Sequence, residues 1–148
     1  MPADSAHLFY AEKRAWEGIA TIPLSMDACQ TAVNYFADLP EVVEEFGTKQ
    51  IEVLAMARKD YRLGMLAYTV RTPPRIFLNC KSDYDGRRLD VLIHEITHVY
   101  DVQKWTGDTA HNHVFARNLL RMTEITVGQQ YADALRTQYL KYDINYRK

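Results

Sequence analysis

The feature that most constrains this chain is a pair of histidines four residues apart, in the run His94-Glu95-Ile-Thr-His98. On an α-helix, residues with this separation lie on one face, so both imidazoles could reach one zinc ion at about 2.0–2.1 Å. Glu95 would project about 100° further round the helix, where its carboxylate could hold and deprotonate a metal-bound water. The H-E-x-x-H spacing therefore predicts a helix that carries two zinc ligands and the general base of a hydrolase.

The residues around this motif have the apolar spacing of a buried, amphipathic helix. Such a helix is what binding of one metal ion by both histidines requires. The apolar residues are Leu89, Leu92, Ile93, Ile96, Val99 and Tyr100. This pattern predicts a helix over about residues 86–104, with Ser82 or Asp85 as its N-cap. The alternative interpretation is a pair of core histidines that are held by hydrogen bonds and bind no metal.

A catalytic zinc ion usually has three protein ligands and one open position, so the chain must supply a third ligand. The remaining histidines are His7, His111 and His113, and nearby carboxylates are further candidates. Residues 107–109 predict a turn after the first helix, and a second helix that returns toward it would begin near His111. Position along the chain does not choose between His111 and His113. His7 lies in a polar N-terminal segment of about residues 1–24, where a surface role is expected.

Two blocks of the chain, His94-Glu-Ile-Thr-His98 and His111-Asn-His-Val-Phe115, are separated by twelve residues. This arrangement resembles the SprT/Spartan zinc metalloproteases, whose pattern is H-E-x-x-H, a short connection and H-G-x-x-[FW] on the next helix. Upstream, Arg75-Ile-Phe-Leu-Asn79 is similar to the strand that precedes the metal helix in that family. The resemblance is specific over residues 75–122.

The resemblance implies a zincin-like metallopeptidase with one Zn²⁺ per chain, held by His94, His98 and His111. It also implies a protein or peptide substrate, and it assigns Phe115 as an aromatic packing residue. The chain departs from the family pattern at Asn112, where Gly is usual. Asn tolerates left-handed backbone geometry better than most residues do, so this departure is a mild one.

Helical geometry adds an expectation about the third ligand. A helix over residues 111–122 would place His111 one turn before Phe115 and on the same side. His113 would lie about 200° from His111 round the axis, facing solvent or the mouth of a cleft. We therefore expect zinc binding to depend on His111 and not on His113.

The chemistry of such a site also needs groups beyond the metal ligands. Glu95 would pass the proton of the attacking water to the departing amine, and a donor would stabilise the oxyanion. Tyr68, Tyr100 and His113 are candidates for substrate contact, together with Phe77 on the strand Arg75–Asn79. That strand could pair with an extended substrate if it lies at an edge of the sheet. Core packing or surface exposure is the ordinary alternative for each of these residues.

Two carboxylates near the motif could orient the imidazoles, because ligating histidines usually donate their other N–H to an oxygen. They are Asp90, one turn before His94, and Asp101, three residues after His98. Solvated charges on a helix face explain them equally well. A second function is also open, that of a non-proteolytic binding or structural module stabilised by zinc. In such a module His113 or an acidic residue would close the metal site as a fourth ligand.

The coarse pattern of the chain predicts an α+β fold in which a small, mainly antiparallel three-stranded sheet packs against helices. Helices are expected from Ser25 or Asp27 to about Leu39, with a restart at Pro40, and again over residues 132–142. Residues 51–57 and 63–70 read as strands of a hairpin, and residues 76–78 read as a third strand. The paired prolines at 73 and 74 predict an edge or a bend before that third strand.

Composition indicates a single soluble domain over residues 1–148. No apolar run approaches the roughly 20 residues that span a membrane, and the first residues lack the pattern of a secretory signal. A cytoplasmic location is expected, although a destination in a virion or a host cell would leave no such signal. Cys29 and Cys80 form no C-x-x-C pair and are expected to be reduced, buried thiols, with a disulfide between them as the alternative.

The charge balance bears on the partners. The chain has 18 basic and 19 acidic residues and no dense basic cluster, so strong autonomous binding to nucleic acid is not expected. A protein or peptide substrate is the expected partner, and the sequence does not indicate an oligomeric state.

Overall fold

The computed structural model describes residues 11–16, 23–81, 84–101 and 111–146. The chain divides into two compact units, Ala20–Tyr100 and a second one made of Met1–Ile19 and Asp101–Lys148. Helices and a small sheet together give the α+β class, as the sequence predicts. Within the described ranges, no helix is both long and apolar enough to cross a lipid bilayer.

The unit Ala20–Tyr100 begins with two helices, α1 at Met26–Ala37 and α2 at Pro40–Phe46. The side chain of Ser25 caps α1 by accepting a hydrogen bond from the backbone N–H of Ala28 at 3.0 Å. The buried face of α1 contains Cys29, Val33 and Phe36 at helical spacing. Pro40 stands in the first turn of α2, where its missing N–H would have no helical partner in any case. The sequence predicted both helices.

A three-stranded sheet follows, made of β1 at Glu52–Ala55, β2 at Ala67–Arg71 and β3 at Pro74–Leu78. The strand order is β1-β3-β2, with β3 parallel to β1 and antiparallel to β2. The sheet is therefore mixed, and the prediction of a mainly antiparallel sheet with a hairpin between the first two strands is wrong. A 3₁₀ helix at Arg58–Leu63 connects β1 to β2 in place of that hairpin turn.

The third strand takes the central position, so Arg75–Asn79 is a structural strand and not the exposed edge that pairing with an extended substrate requires. The physical reason is burial. Ile76 and Leu78 are fully buried, and a central strand has a neighbouring strand along each of its two edges. The two edges are β1 and β2. Along β1, the side-chain amide of Gln30 binds the backbone carbonyl of Ile51 at 2.9 Å and the N–H of Val53 at 2.8 Å. This edge is thus partly paired by a side chain.

A close backbone crossing connects the sheet to the next helix. β4 at Cys80–Lys81 pairs with β5 at Tyr84–Asp85, and Gly86 follows. The N–H of Gly86 donates to the carbonyl of Asn79 at 2.7 Å, and a Cβ on Gly86 would lie 2.1 Å from the carbonyl oxygen of Leu66. Only glycine fits such a crossing. Ser82 lies outside the described residues, and Asp85 belongs to β5 and accepts from the N–H of Arg87.

Helix α3, at Leu89–Tyr100, carries the motif and packs against β2, β3 and α1. It begins three residues later than the sequence predicted, because β5 and the Gly86 crossing occupy the preceding residues. Its buried side chains include Leu92, Ile93 and Ile96, at the spacing that predicted them. The predicted end of this helix and the turn at residues 107–109 fall outside the described residues.

The second unit contains α4 at His113–Val127 and α5 at Gln129–Lys141, and residues 11–15 are also helical. The two helices pack closely, and the hydroxyl of the buried Tyr139 donates to the carbonyl of Ala116 at 3.0 Å. Trp16 stacks on Tyr131 with ring centroids 5.5 Å apart. Both helices were predicted, although α4 begins two residues later and α5 three residues earlier than expected.

Candidate metal centre

The two histidines of the motif lie next to each other on α3. The centroids of the His94 and His98 rings are 4.9 Å apart, with the rings inclined at 67°. His98 is buried and His94 is half-buried, so one imidazole belongs to the core side of the helix and the other is nearer to solvent. This is the same-face arrangement that residues four apart on a helix adopt.

Helix α3 is tied to the edge strand β2 by two side chains that the strand directs toward it. Arg71 donates from Nε to the backbone carbonyl of His98 at 3.2 Å. That carbonyl is near the C-terminal end of α3, where carbonyls lose their helical partners and a positive charge is favourable. Thr69, two residues earlier on the same face of β2, contacts Glu95. The strand therefore fixes the part of the helix that carries the motif.

Glu95 is buried, with 6% of its surface exposed. The hydroxyl of Thr69 lies 3.0 Å from carboxylate oxygen Oε1 and 3.3 Å from the backbone carbonyl oxygen of Glu95. The other carboxylate oxygen, Oε2, is 3.8 Å from Nε2 of His94. One oxygen thus faces the sheet, and the other faces the imidazole of His94.

His111 stands just before helix α4 and not within it, which corrects the helix predicted over residues 111–122. The N-cap is Asn112, whose side-chain oxygen accepts from the N–H groups of Val114 and Phe115 at 3.0 and 3.1 Å. The backbone of Asn112 is extended, with φ −76° and ψ −174°, so no left-handed residue is needed here. The His111 ring meets the Phe115 ring edge-on at 4.9 Å. His111 therefore lies beside Phe115 as expected, but the two residues do not belong to one helical turn. They lie on either side of the N-cap Asn112.

The ligand nitrogens of His94, His98 and His111 all lie within 4.8 Å of one another. This three-histidine cluster could hold a metal ion. Among the described residues, neither His113 nor any carboxylate joins the cluster. His113 is the first residue of α4, and His7 lies outside the described residues.

The aromatic candidates for substrate contact lie elsewhere. The rings of Tyr68 and Phe77 stack with centroids 4.8 Å apart. Thr69 and Ile76, the next pair in the register, are on the face toward α3, so Tyr68 and Phe77 are on the opposite face of the sheet. Burial and the neighbouring Asp60 carboxylate raise the pKa of Tyr68, whose hydroxyl lies 3.3 Å from that carboxylate.

Tyr100 is the buried last residue of α3 and packs against Phe46 at 5.8 Å. Burial, with a smaller effect of Asp38, raises the pKa of Tyr100 to about 12. Its phenol therefore stays protonated well above neutral pH.

Two carboxylates were considered as partners of the imidazoles, Asp90 and Asp101. Asp90 forms an ion pair with Arg88, with Nη2 of Arg88 3.3 Å from Oδ2 of Asp90. Asp101 is almost completely buried at the residue after α3.

The two thiols are free, as predicted, but only Cys29 is fully buried. Cys80 is half-buried, and its sulfur lies 3.8 Å from that of Met26.

Thr69 and Arg71 are the residues near the motif that the sequence did not single out. A signal for them exists, because the alternation of β2 places Ala67, Thr69 and Arg71 on one face and two of these three residues are polar. A polar pair on the inner face of a strand requires hydrogen-bond partners, and α3 supplies them.

No protein-family model, no curated protein and no solved structure matches this chain.

Proposed function

We propose that this chain is a zinc-dependent metallopeptidase of the zincin type, similar to the SprT/Spartan proteases. His94, His98 and His111 are its metal ligands, and Glu95 is its general base. The observation that supports the proposal most is the three-histidine cluster, whose ligand nitrogens lie within 4.8 Å of one another. A structural or chance pair of histidines would not need a third imidazole at this distance.

The donor set suits zinc. Nitrogens about 2.0–2.1 Å from a tetrahedral ion are about 3.4 Å apart, so small side-chain rotations would bring the three imidazoles to that geometry. Imidazole nitrogen is a ligand that zinc commonly takes in proteins. Three protein ligands also leave the fourth position for a water or substrate, which is the arrangement of catalytic zinc sites.

Each residue then has a defined task. When bound, zinc polarises a peptide carbonyl and lowers the pKa of a water toward neutrality. Glu95 accepts the proton of that water and passes it to the departing amine. Burial of Glu95 keeps competing solvent from its carboxylate, and its Oε2 faces the imidazole of His94. A purely structural zinc site has no use for a carboxylate in this position.

The substitution Glu95→Gln tests the proposal, because it keeps the shape of the side chain and removes the base. We expect the variant to bind about one zinc per chain, as the parent does, and to lose peptide cleavage by about a hundredfold or more. Cleavage is measured with unfolded casein and with a pool of quenched fluorescent peptides. Glu124→Gln is the matched control, since Glu124 pairs with Arg121 on α4 and should keep full activity.

Two outcomes would contradict the proposal. If Glu95→Gln cleaves as fast as the parent, Glu95 is not the base. If the parent binds one zinc per chain and cleaves neither substrate, the zinc-stabilised binding or structural module is the better description.

A further inference from the structure

The contact between Thr69 and Glu95 joins residues that are 26 positions apart in the sequence. The Thr69 hydroxyl has one proton to donate, and both atoms near it, the Glu95 carboxylate and the Glu95 backbone carbonyl, are acceptors. The carboxylate oxygen is the closer of the two at 3.0 Å, and it carries charge. The hydroxyl therefore donates mainly to Oε1, in a charge-assisted hydrogen bond.

The donor is held rigidly. Thr69 lies on β2 opposite Ile76 of the central strand, and Ile76 is fully buried. A threonine side chain is stiff about its first torsion because it is branched at Cβ. The hydroxyl thus has a fixed position relative to the sheet, while the glutamate has several rotatable bonds.

We infer that Thr69 is a positioning residue for Glu95. By holding Oε1 on the side of the sheet, Thr69 leaves Oε2 on the side of His94, where the two atoms Oε2 and Nε2 are 3.8 Å apart. This inference rests on the proposed function, in which Glu95 is the base. Loss of the hydroxyl lets the carboxylate rotate within its pocket, so a smaller fraction of molecules has the base in a productive position.

The consequence is a specific effect on turnover. Misplacement of a reacting group by about 1 Å can lower a rate by about a hundredfold, so a partial loss of positioning should lower kcat by about tenfold. Among the described residues, the hydrogen bonds of the Thr69 hydroxyl go to Glu95 and not to a ligand imidazole, so zinc stoichiometry should not change. KM should change by less than about twofold, because the substrate is not bound by this hydroxyl.

The test compares Thr69→Val, which has the shape of threonine without the hydroxyl, with Thr69→Ser, which keeps the hydroxyl. With casein or the peptide pool as substrate, kcat should fall about tenfold in Thr69→Val and recover most of its value in Thr69→Ser. Thr126→Val is the matched control, because the half-buried Thr126 donates to the carbonyl of Met122 near the far end of α4. That control should keep the activity of the parent.

A second measurement does not depend on activity. In zinc-free protein, the loss of Tm in the double variant Thr69→Val with Glu95→Ala should be smaller than the sum of the two single losses, because Thr69→Val removes the donor and Glu95→Ala the acceptor of one hydrogen bond. Additive losses would overturn the inference, and so would a Thr69→Val enzyme with the kcat of the parent. A Thr69→Ser variant as slow as Thr69→Val would also overturn it.

The failure of this inference is distinguishable from the failure of the proposed function. An active, zinc-dependent parent that loses cleavage in Glu95→Gln but not in Thr69→Val rejects only the role of Thr69. An inactive parent rejects the proposed function, and the non-additivity of Tm then still decides whether Thr69 positions the Glu95 carboxylate.

Discussion

The substitution His111→Ala, compared with His113→Ala, tests the choice of the third ligand. His111 belongs to the three-histidine cluster, whereas His113, two residues later, does not. Both side chains are half-buried, and His111 precedes the N-cap of α4 while His113 is its first residue, so the two variants disturb similar parts of the fold. Only His111→Ala should weaken the binding of zinc.

The magnitude follows from linkage between binding and folding. With free zinc at 100 times the dissociation constant, the parent gains about 2.7 kcal/mol of stability. Removal of a residue that merely supports a ligand weakens metal binding by about 10–100-fold, so loss of a ligand should weaken it at least about a hundredfold. The variant then gains only about 0.4 kcal/mol at the same zinc concentration, so about 2.3 kcal/mol of zinc-linked stability is lost. For a chain of this size, that corresponds to about 5–9 °C in Tm.

The assay is thermal unfolding of each protein without zinc and with zinc at the concentration that saturates the parent. The quantity compared is the rise in Tm that zinc produces. This difference cancels the direct cost of the substitution, such as the lost contact between His111 and Phe115. The parent and His113→Ala should show the full rise, and His111→Ala should show little of it. A full rise in His111→Ala with none in His113→Ala would refute the assignment of the ligands.

Two further predictions concern stability. Burial raises the pKa of the Cys29 thiol from 9.0 to about 11, so the folded state keeps the proton that the unfolded state releases. The stability that this provides is complete below about pH 9 and is lost as pH rises toward 11, by about 2–3 kcal/mol at most. Urea unfolding between pH 7 and 11 should therefore show a larger alkaline loss in the parent than in Cys29→Ala, and equal losses would contradict this. Gly86→Ala places a Cβ against the carbonyl oxygen of Leu66, at 2.1 Å if nothing moves, so the free energy of unfolding should fall by about 1–3 kcal/mol. An unchanged urea midpoint in that variant would show that the crossing at Gly86 is not tight.

The helices could be predicted from the sequence because their signals are local. Apolar residues at helical spacing placed α3, and Ser25 and Pro40 marked the starts of α1 and α2. The predicted start of a helix was wrong where another element occupies the same residues. The first turn of the predicted metal helix is occupied by the crossing at Gly86, which depends on a contact with Leu66, 20 residues earlier.

The sheet shows what local patterns leave open. Short apolar runs located all three strands, but they contain no information on which strands pair. Adjacent strands in sequence favoured a hairpin of β1 with β2, whereas the structure inserts β3 between them. The complete burial of Ile76 and Leu78 explains this order, but burial becomes known only when the helices that cover the strand are in place.

In the candidate site too, some residues could be predicted from local sequence, and others depend on tertiary packing. His94, Glu95 and His98 follow from helical geometry over five residues. The choice of His111 came from a resemblance and from a helix predicted over residues 111–122, although the helix begins only at His113. The contact of Thr69 with Glu95 was not predicted, because it depends on the packing of β2 against α3.

Titration of zinc into metal-free protein, followed by the initial rate of peptide cleavage, is the most direct test of the central claim. The metal is first removed with a chelator, and the peptide pool serves as substrate. The proposed function predicts no cleavage without zinc, and a rate that rises in proportion to added zinc and reaches a plateau near one equivalent per chain. A metal-free protein that cleaves at the full initial rate would contradict the proposed function. So would an intact fold with no cleavage at any zinc concentration.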